Sequence, residues 1–104
     1  MKHDFFIKER FLSLLDKGDK KLEIRIAFAF FKSVKVGDEI VFNGVLIRTV
    51  KAIRWYPSFM EMGKWEKPEH ILPGATMGQI IEVLKEIYPL GLEKRGIIVF
   101  ELSP

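Results

Sequence analysis

The dipeptide Asn43-Gly44 constrains the fold of this chain more than any other feature of its sequence. It separates the apolar run Glu39–Phe42 from a longer apolar run, Val45–Tyr56. Asn-Gly at the centre of a two-residue loop tolerates the positive φ angles of a type I′ turn, so the two runs are predicted to pair as a β-hairpin. The inward-facing parity of the second arm changes near Val50, which predicts a β-bulge of the kind that bends small barrels.

A second strand is predicted over residues 20–30, where residues on alternating sides differ in polarity. One side of that strand is apolar throughout, and the other begins with charged side chains and ends with alanines. The apolar side carries Leu22, Ile24, Ile26, Phe28 and Phe30, and the other carries Lys21, Glu23, Arg25, Ala27 and Ala29.

Two further strand signals remain. The first segment, HDFFIK, is either a strand or a helix entry, and IIVFEL is a last strand.

Helices are predicted from apolar residues at helical spacing and from capping signals at the helix ends. The predicted helices are Glu9–Lys17, which Gly18 ends; a segment after Ser58, which has Glu61 three residues later; and a segment after Thr76 and Gln79, which carries Ile80, Ile81, Leu84, Ile87 and Tyr88 and ends at Pro89.

This order of elements lacks the regular alternation of a parallel βαβ fold. It predicts an α+β protein, built as a small, mostly antiparallel β-barrel with helices packed outside it. A chain of 104 residues without repeats or linkers indicates one domain, residues 1–104.

Composition excludes several classes of protein. The chain has no cysteine, so disulfide and thiol chemistry are absent, and its two histidines stand far apart, so no metal site is expected. No signal-like or membrane-spanning apolar run is present, which favours a cytoplasmic protein with no membrane partner. No cofactor is implied, and a monomer is favoured.

The charge is unevenly distributed along the chain. Residues 1–54 hold 12 Lys/Arg against 7 Asp/Glu, whereas residues 55–104 hold 5 against 7. This basic first half is compatible with a polyanionic partner such as RNA. The alternative is the Lys/Glu-rich surface of a thermophilic protein, which a single Asn and a single Gln also fit.

The segment GDKKLEIR, residues 18–25, concentrates charge where the first helix passes into the strand. Glu23 and Arg25 are two residues apart, so they lie on the same side of the strand. Strict alternation adds Lys21 to that side, and Lys20 joins it only if it lies in the turn before regular pleating begins. A converging acid and cations would suit a polar ligand; the plainer alternative is a solvated ion-pair ladder worth about 0.2–1 kcal/mol per pair.

Gly18, Lys20, Glu23 and Arg25 spell G-x-K-x-x-E-x-R, which resembles the signature of the ASCH domains, a branch of the PUA-like superfamily. The resemblance continues through KVGDEIVF, IRWYPSF, EIYP and GIIVFEL and covers nearly the whole chain. It implies a barrel of about six strands with helices flanking a cleft that the motif lines. It also implies binding of RNA or modified nucleosides.

Some bacterial members of the family remove an acetyl group from acetylated cytidine with a lysine, a threonine and a glutamate. The lysine matches Lys20 here, but the threonine position falls on Glu23. The distal glutamate falls near Pro73, and the nearest upstream acid, Glu69, aligns only with a gap. The chain therefore keeps one of the three groups at its position.

Two hypotheses of function follow. In the first, an RNA- or nucleotide-binding domain uses Lys20 and Arg25 on phosphate or base oxygens, and Glu23 accepts from an exocyclic amine. In the second, an amidohydrolase acting on acetylated cytidine, or a metal-independent ribonuclease, uses Lys20 as nucleophile or base and Glu23 as proton carrier. A third reading is a protein-interaction face formed by Phe59, Met60 and Met62.

Further ligand-binding candidates are Lys21, Arg54, Tyr56 and Trp65. The aromatic side chains could stack on bases, and the cations could contact phosphates. Because Trp55 and Tyr56 are adjacent in a strand, at most one of them faces a given surface. The alternative is that at least one belongs to the core.

Overall fold

The computed structural model describes residues 1–88 and 91–104. Strands and helices alternate irregularly along the chain, with one additional 3₁₀ turn, Leu92–Arg95. The strands are β1 Lys2–Phe5, β2 Leu22–Ile26, β3 Glu39–Phe42, β4 Leu46–Tyr56 and β5 Ile97–Leu102, and the helices are α1 Glu9–Lys17, α2 Ala29–Lys32, α3 Phe59–Trp65, α4 Pro68–Ile71 and α5 Met77–Ile87.

The five strands form one curled sheet in the order β1-β3-β4-β5-β2. β1 runs parallel to β3, and the other three adjacent pairs are antiparallel, so the sheet is mixed. The predicted α+β domain with a barrel-like sheet and flanking helices is confirmed at this level. The sheet is half a barrel, with β1 and β2 at its edges, instead of the six-stranded barrel that the resemblance implied.

The predicted hairpin and its bulge are both confirmed. Asn43 and Gly44 have φ angles of 53° and 72°, as a tight turn of this kind requires. β4 pairs with β3 up to Thr49 and with β5 from Val50 onward, and the register shifts between Val50 and Ala52. The bulge therefore lies where one long strand passes from one partner to the next, which is how the sheet curls.

The strand predicted over residues 20–30 is wrong in length. β2 pairs with β5 only from Leu22 to Ile26, and residues 29–32 form the short helix α2. The ladder stops because the β2 chain itself turns after Ile26, where the Phe28 N–H donates to the Ile26 carbonyl at 2.8 Å, and α2 then begins at Ala29. Phe28 still packs against the same cluster as Leu22 and Ile24, but Phe30, which is 51% exposed, does not continue the apolar face of the strand.

Strand β5 is buried on both faces and separates two apolar clusters. Ile98 and Phe100 face the first cluster, inside the curled sheet, and Ile97 and Val99 face the second, beneath the helices. The first cluster also includes Phe5, Ile40, Phe42 and Leu15; the second includes Leu22, Ile24, Phe59, Met62, Ile80 and Leu84.

Both predicted N-caps are formed, and one of them completes the predicted capping box. The Ser58 side chain accepts a hydrogen bond from the Glu61 backbone at 3.1 Å, and Thr76 and Gln79 form a reciprocal capping box. The predicted end of the last helix at Pro89 lies outside the described residues. No helix in the described part of the chain is long and apolar enough to cross a membrane.

The predicted interaction face on α3 is not formed. Phe59 and Met62 are completely buried, and only Met60, which is 62% exposed, faces outward. The two buried side chains pack under α5 in the second cluster, so they serve the core.

Candidate functional site

A cleft of about 250 Å³ lies between β2, the segment that links β1 to α1, and α5. One wall is apolar and comes mainly from Ile80, Val83 and Ile87 of α5. The opposite side carries three charged side chains, those of Lys20, Glu23 and Arg25. The motif residues therefore converge on a recess of the size of a small ligand.

The C-terminal cap of α1 positions Lys20 in the cleft. Gly18 adopts the left-handed conformation with φ of 83°, and the backbone N–H groups of Asp19 and Lys20 both donate to the Leu14 carbonyl. Lys20 therefore belongs to the helix cap, two residues before β2 begins, and the alternation of the strand does not govern its direction. Lys21, which alternation favoured, is exposed and lies away from the cleft lining.

The Lys20 ammonium is enclosed by oxygen atoms. Nζ donates to the Leu22 carbonyl at 2.6 Å and to the Ile71 carbonyl at 2.9 Å. It also lies 3.5 Å from Glu23 Oε1, and the side chain is only 5% exposed. Desolvation by burial lowers the pKa of Lys20, and the neighbouring Glu23 opposes that shift without cancelling it.

The Glu23 carboxylate is buried between two cations. Its side chain is 7% exposed, and Oε2 lies 3.2 Å from Nη2 of Arg25. That contact lacks hydrogen-bond geometry, so Oε2 accepts no hydrogen bond from the residues that the structure describes. A buried acceptor without a donor is uncommon in folded proteins and marks a place where an incoming N–H group would be stabilised.

Arg25 ties the strand to the rim of the cleft. Its Nη2 donates to the Phe6 carbonyl at 2.9 Å, and its guanidinium carbon lies 5.0 Å and 5.6 Å from the ring centres of Phe5 and Phe31. The Phe6 side chain lines the cleft and is 84% exposed. Arg25 therefore holds in place the segment that carries an exposed aromatic ring.

Three other predicted site residues, Arg54, Tyr56 and Trp65, lie elsewhere. They line a separate, open groove of about 670 Å³ together with Trp55 and with His70 of α4, which we call the tryptophan groove. Trp55 and Tyr56 both border it, so the prediction that at most one of them faces a given surface is wrong. The sequence suggested these three residues as ligand-binding candidates alongside the motif, and the structure does not bring the two sets together.

In the tryptophan groove, Glu66 organises a closed set of hydrogen bonds. Arg54 donates to both oxygens of Glu66, at 2.6 Å and 2.9 Å, and to Glu101 at 2.8 Å, and the Tyr56 hydroxyl donates to Glu66. These bonds from Arg54 and Tyr56 keep the pKa of Glu66 below its usual value, although burial alone would raise it. Burial and the bond to Glu66 raise the pKa of Tyr56 to about 12.

The same interactions raise the pKa of Arg54, chiefly through its hydrogen bonds to Glu66. The polar groups of Arg54, Tyr56 and Glu66 are engaged in hydrogen bonds within this network. Arg54 and Tyr56 are therefore held in place by Glu66, and the parts of the groove left open are the indole rings of Trp55 and Trp65.

Several residues around these two places carried little signal in the sequence. Glu66 lies in a segment that appeared irregular, and Ile71 acts through its backbone carbonyl, which no side-chain pattern reveals. Phe6 did carry a signal, because two adjacent phenylalanines at the end of a strand cannot both face the core. Phe5 is buried and Phe6 is exposed.

Among residues 1–88 and 91–104, no group of three or more histidine, aspartate or glutamate side chains is placed to hold a metal ion. The cleft offers instead one carboxylate, Glu23, with cations on either side and an apolar wall opposite. This arrangement can accept a hydrogen bond from a flat ligand that is otherwise largely apolar.

The fold and the cleft define a small α+β protein with a ligand-sized recess beside a curled sheet. Two solved structures are similar to it over its full length. The crystal structure of the hypothetical protein PH0355 has a TM-score of 0.94 and 34% sequence identity, covering 100% of this chain and 99% of that one. The solution structure of protein PF0455 from Pyrococcus furiosus has a TM-score of 0.82 and 36% identity, covering 100% and 97%.

The chain belongs to the same family as these two proteins. No protein-family model and no curated protein matches it.

Proposed function

We propose that this protein is a cytoplasmic, PUA-like domain of the ASCH type that binds RNA or a nucleotide by taking a nucleobase into the cleft. The observation that carries the proposal is the Glu23 carboxylate, which is buried beside the cleft and has an oxygen, Oε2, without a hydrogen-bond donor. The exocyclic amino group of a base supplies such a donor. Charge-assisted hydrogen bonds of this kind are worth about 1.5–3 kcal/mol.

The size and lining of the cleft support a base as its occupant. Ligand pockets are mostly apolar with a few placed polar groups, and those for drug-sized ligands measure roughly 300–1,000 Å³. At about 250 Å³ the cleft suits a smaller, flat group. Ile80, Val83 and Ile87 offer an apolar surface to its faces, and Phe6 offers an exposed ring at the rim.

The cations of the motif serve the carboxylate in this proposal. Lys20 donates to two backbone carbonyls and Arg25 to a third, and both lie beside Glu23. Lys20 and Arg25 therefore mainly neutralise and orient Glu23. The prediction that they contact phosphate or base oxygens stays open, with the base oxygens favoured because the cleft is narrow and largely apolar.

Titration with cytidine and uridine tests the proposal. Cytidine has an exocyclic amino group where uridine has a carbonyl, so we expect cytidine to bind at least about tenfold more tightly. Glu23→Gln should remove that preference, because an amide oxygen is a weaker acceptor than a carboxylate. Lys21→Met is the matched control, since Lys21 is adjacent and lies outside the cleft, and it should bind like the wild type.

Equal binding of the two nucleosides, or no binding of either to the folded wild-type protein, would contradict the proposal. A salt series with RNA adds a second measurement. RNA affinity should fall as salt rises if phosphates contribute to binding.

The second candidate function is catalysis on a nucleoside or RNA, as an amidohydrolase or a metal-independent ribonuclease. The favouring observation is that the buried Lys20 amine has a lowered pKa and lies 3.5 Å from Glu23, so it can act as base or nucleophile while Glu23 carries the proton. Incubation with acetylated cytidine and with RNA tests this function. Turnover no greater than that of Lys20→Ala would remove it.

A further inference from the structure

The tryptophan groove lies on the far side of α4 from the cleft. Ile71 and Leu72, at the end of α4, line the cleft, whereas Lys67 and His70, at its start and middle, line the groove. One short helix is therefore the shared wall of two separate recesses. What the groove binds is a question distinct from what the cleft binds.

Both tryptophans of the chain line this groove, and both are exposed. Trp55 is 53% exposed and Trp65 is 71% exposed. Each is carried by a fixed element: Trp55 is paired with Ile98 within the sheet, and Trp65 is the last residue of α3. Two large aromatic rings on rigid supports, turned to solvent, are the form of a stacking platform.

The charges of the groove favour an anionic strand. Glu66 and Glu101 are the acids that line it; Arg54 pairs with both, and Lys51 supplies a second cation to Glu101 at 3.8 Å. Lys67 is exposed and makes no ion pair with the residues that the structure describes. The groove therefore combines exposed indoles, a free ammonium and screened carboxylates.

We infer that the tryptophan groove binds single-stranded nucleic acid, with bases stacked on Trp55 and Trp65 and a phosphate near Lys67. Positively charged grooves with aromatic side chains bind single strands in this way, without reading a particular sequence. The inference goes beyond the proposed function, because it concerns a second site, which binds a strand along its length and not a single base in a recess.

Intrinsic fluorescence reports on the groove directly, since both tryptophans of the chain lie in it. Titration with a single-stranded oligouridylate of about 10 nucleotides should quench the emission. The affinity should fall as salt rises. Trp65→Ala should weaken binding of the oligonucleotide by roughly five- to 160-fold, the range that loss of one stacked base predicts.

Two controls separate the groove from the cleft and from general damage. Met60→Ala removes another exposed apolar side chain from the same helix, outside the groove, and should leave oligonucleotide binding unchanged. Trp65→Phe keeps a ring for stacking and should restore most of the affinity. Nucleoside binding in the cleft should be unaffected by Trp65→Ala.

The inference is overturned if Trp65→Ala binds the oligonucleotide as the wild type does, or if the wild type does not bind it at all. It is also overturned if the protein self-associates with increasing concentration and Trp65→Ala abolishes that, since the groove would then hold a second copy of the chain. Oligonucleotide binding that depends on Trp65, without nucleoside binding in the cleft, supports the groove and contradicts only the cleft proposal.

Discussion

Two clusters in this protein each contain a buried glutamate beside basic or hydroxyl side chains, and they differ in how many hydrogen bonds that glutamate accepts. In the cleft, Glu23 lies between Lys20 and Arg25; in the tryptophan groove, Glu66 lies between Arg54 and Tyr56. Both glutamates are almost fully buried. Glu66 receives three hydrogen bonds on its two oxygens, whereas one oxygen of Glu23 receives none.

The difference shows that burial of an acid beside cations does not by itself mark a site. Glu66 has used its hydrogen-bonding capacity within the fold, so its network joins β4 to the end of α3 and has little left for a ligand. Glu23 is held as firmly, but its Oε2 accepts no hydrogen bond from the described residues and is buried beside a recess. The number of unmet hydrogen bonds, more than the number of charges, distinguishes a binding group from a structural one.

Removal of the central acid from the cleft should have the largest effect on stability. Glu23→Ala leaves two buried cations without their shared partner, so we expect the free energy of unfolding to fall by about 3–5 kcal/mol. Glu101→Ala is the control, because Glu101 is 31% exposed and its loss should cost less than about 1 kcal/mol. Denaturant unfolding measures both, and equal losses would show that the cleft cluster is solvated.

Replacement of the buried amine should have an intermediate effect, with a pH dependence. Lys20→Met keeps the length of the side chain but leaves the Leu22 and Ile71 carbonyls without their donor, which should cost about 2 kcal/mol near neutral pH.

The sign of the pH dependence follows from the lowered pKa of Lys20. Between that lowered pKa and the ordinary value of 10.5, the unfolded chain binds one more proton than the folded protein. The free energy of unfolding therefore rises with pH in this window, and the rise should be absent in Lys20→Met. Denaturant unfolding from about pH 7 to about pH 10 compares the two proteins; parallel curves would contradict the assignment.

The smallest effect is expected at Tyr56. Because its pKa is raised from 10.0 to about 12, the folded protein keeps a proton that the unfolded chain loses, and stability should decline as pH rises through that range. A spectroscopic titration of tyrosinate absorbance should show one late transition that Tyr56→Phe removes. A transition for Tyr56 near 10 would mean that its bond to Glu66 is not maintained.

Local signals in the sequence predicted much of the fold. Asn43-Gly44, the Ser58 N-cap, the Thr76 capping box and Gly18 each act through short-range backbone geometry, so their outcome depends little on the rest of the chain. The length of β2 could not be predicted, because the alternation of apolar and polar residues continues past Ile26, where the chain instead turns into α2.

The candidate site shows the same division. The convergence of Lys20, Glu23 and Arg25 followed from the motif and its resemblance, whereas alternation alone pointed to Lys21. The separation of Arg54, Tyr56 and Trp65 from that set could not be predicted. It depends on α4, a four-residue helix in a segment that Pro68 and Pro73 made appear irregular.

Helix α4 also has a mechanical consequence. Two successive carbonyls near its end are fastened to the same short stretch of the chain: the one on His70 accepts from the Lys21 backbone, and the one on Ile71 accepts from the Lys20 ammonium. A molecule that pushed this partition from one side would displace the acceptors that anchor the lysine on the other. Binding in one recess would therefore affect binding in the other through a partition one helical turn thick.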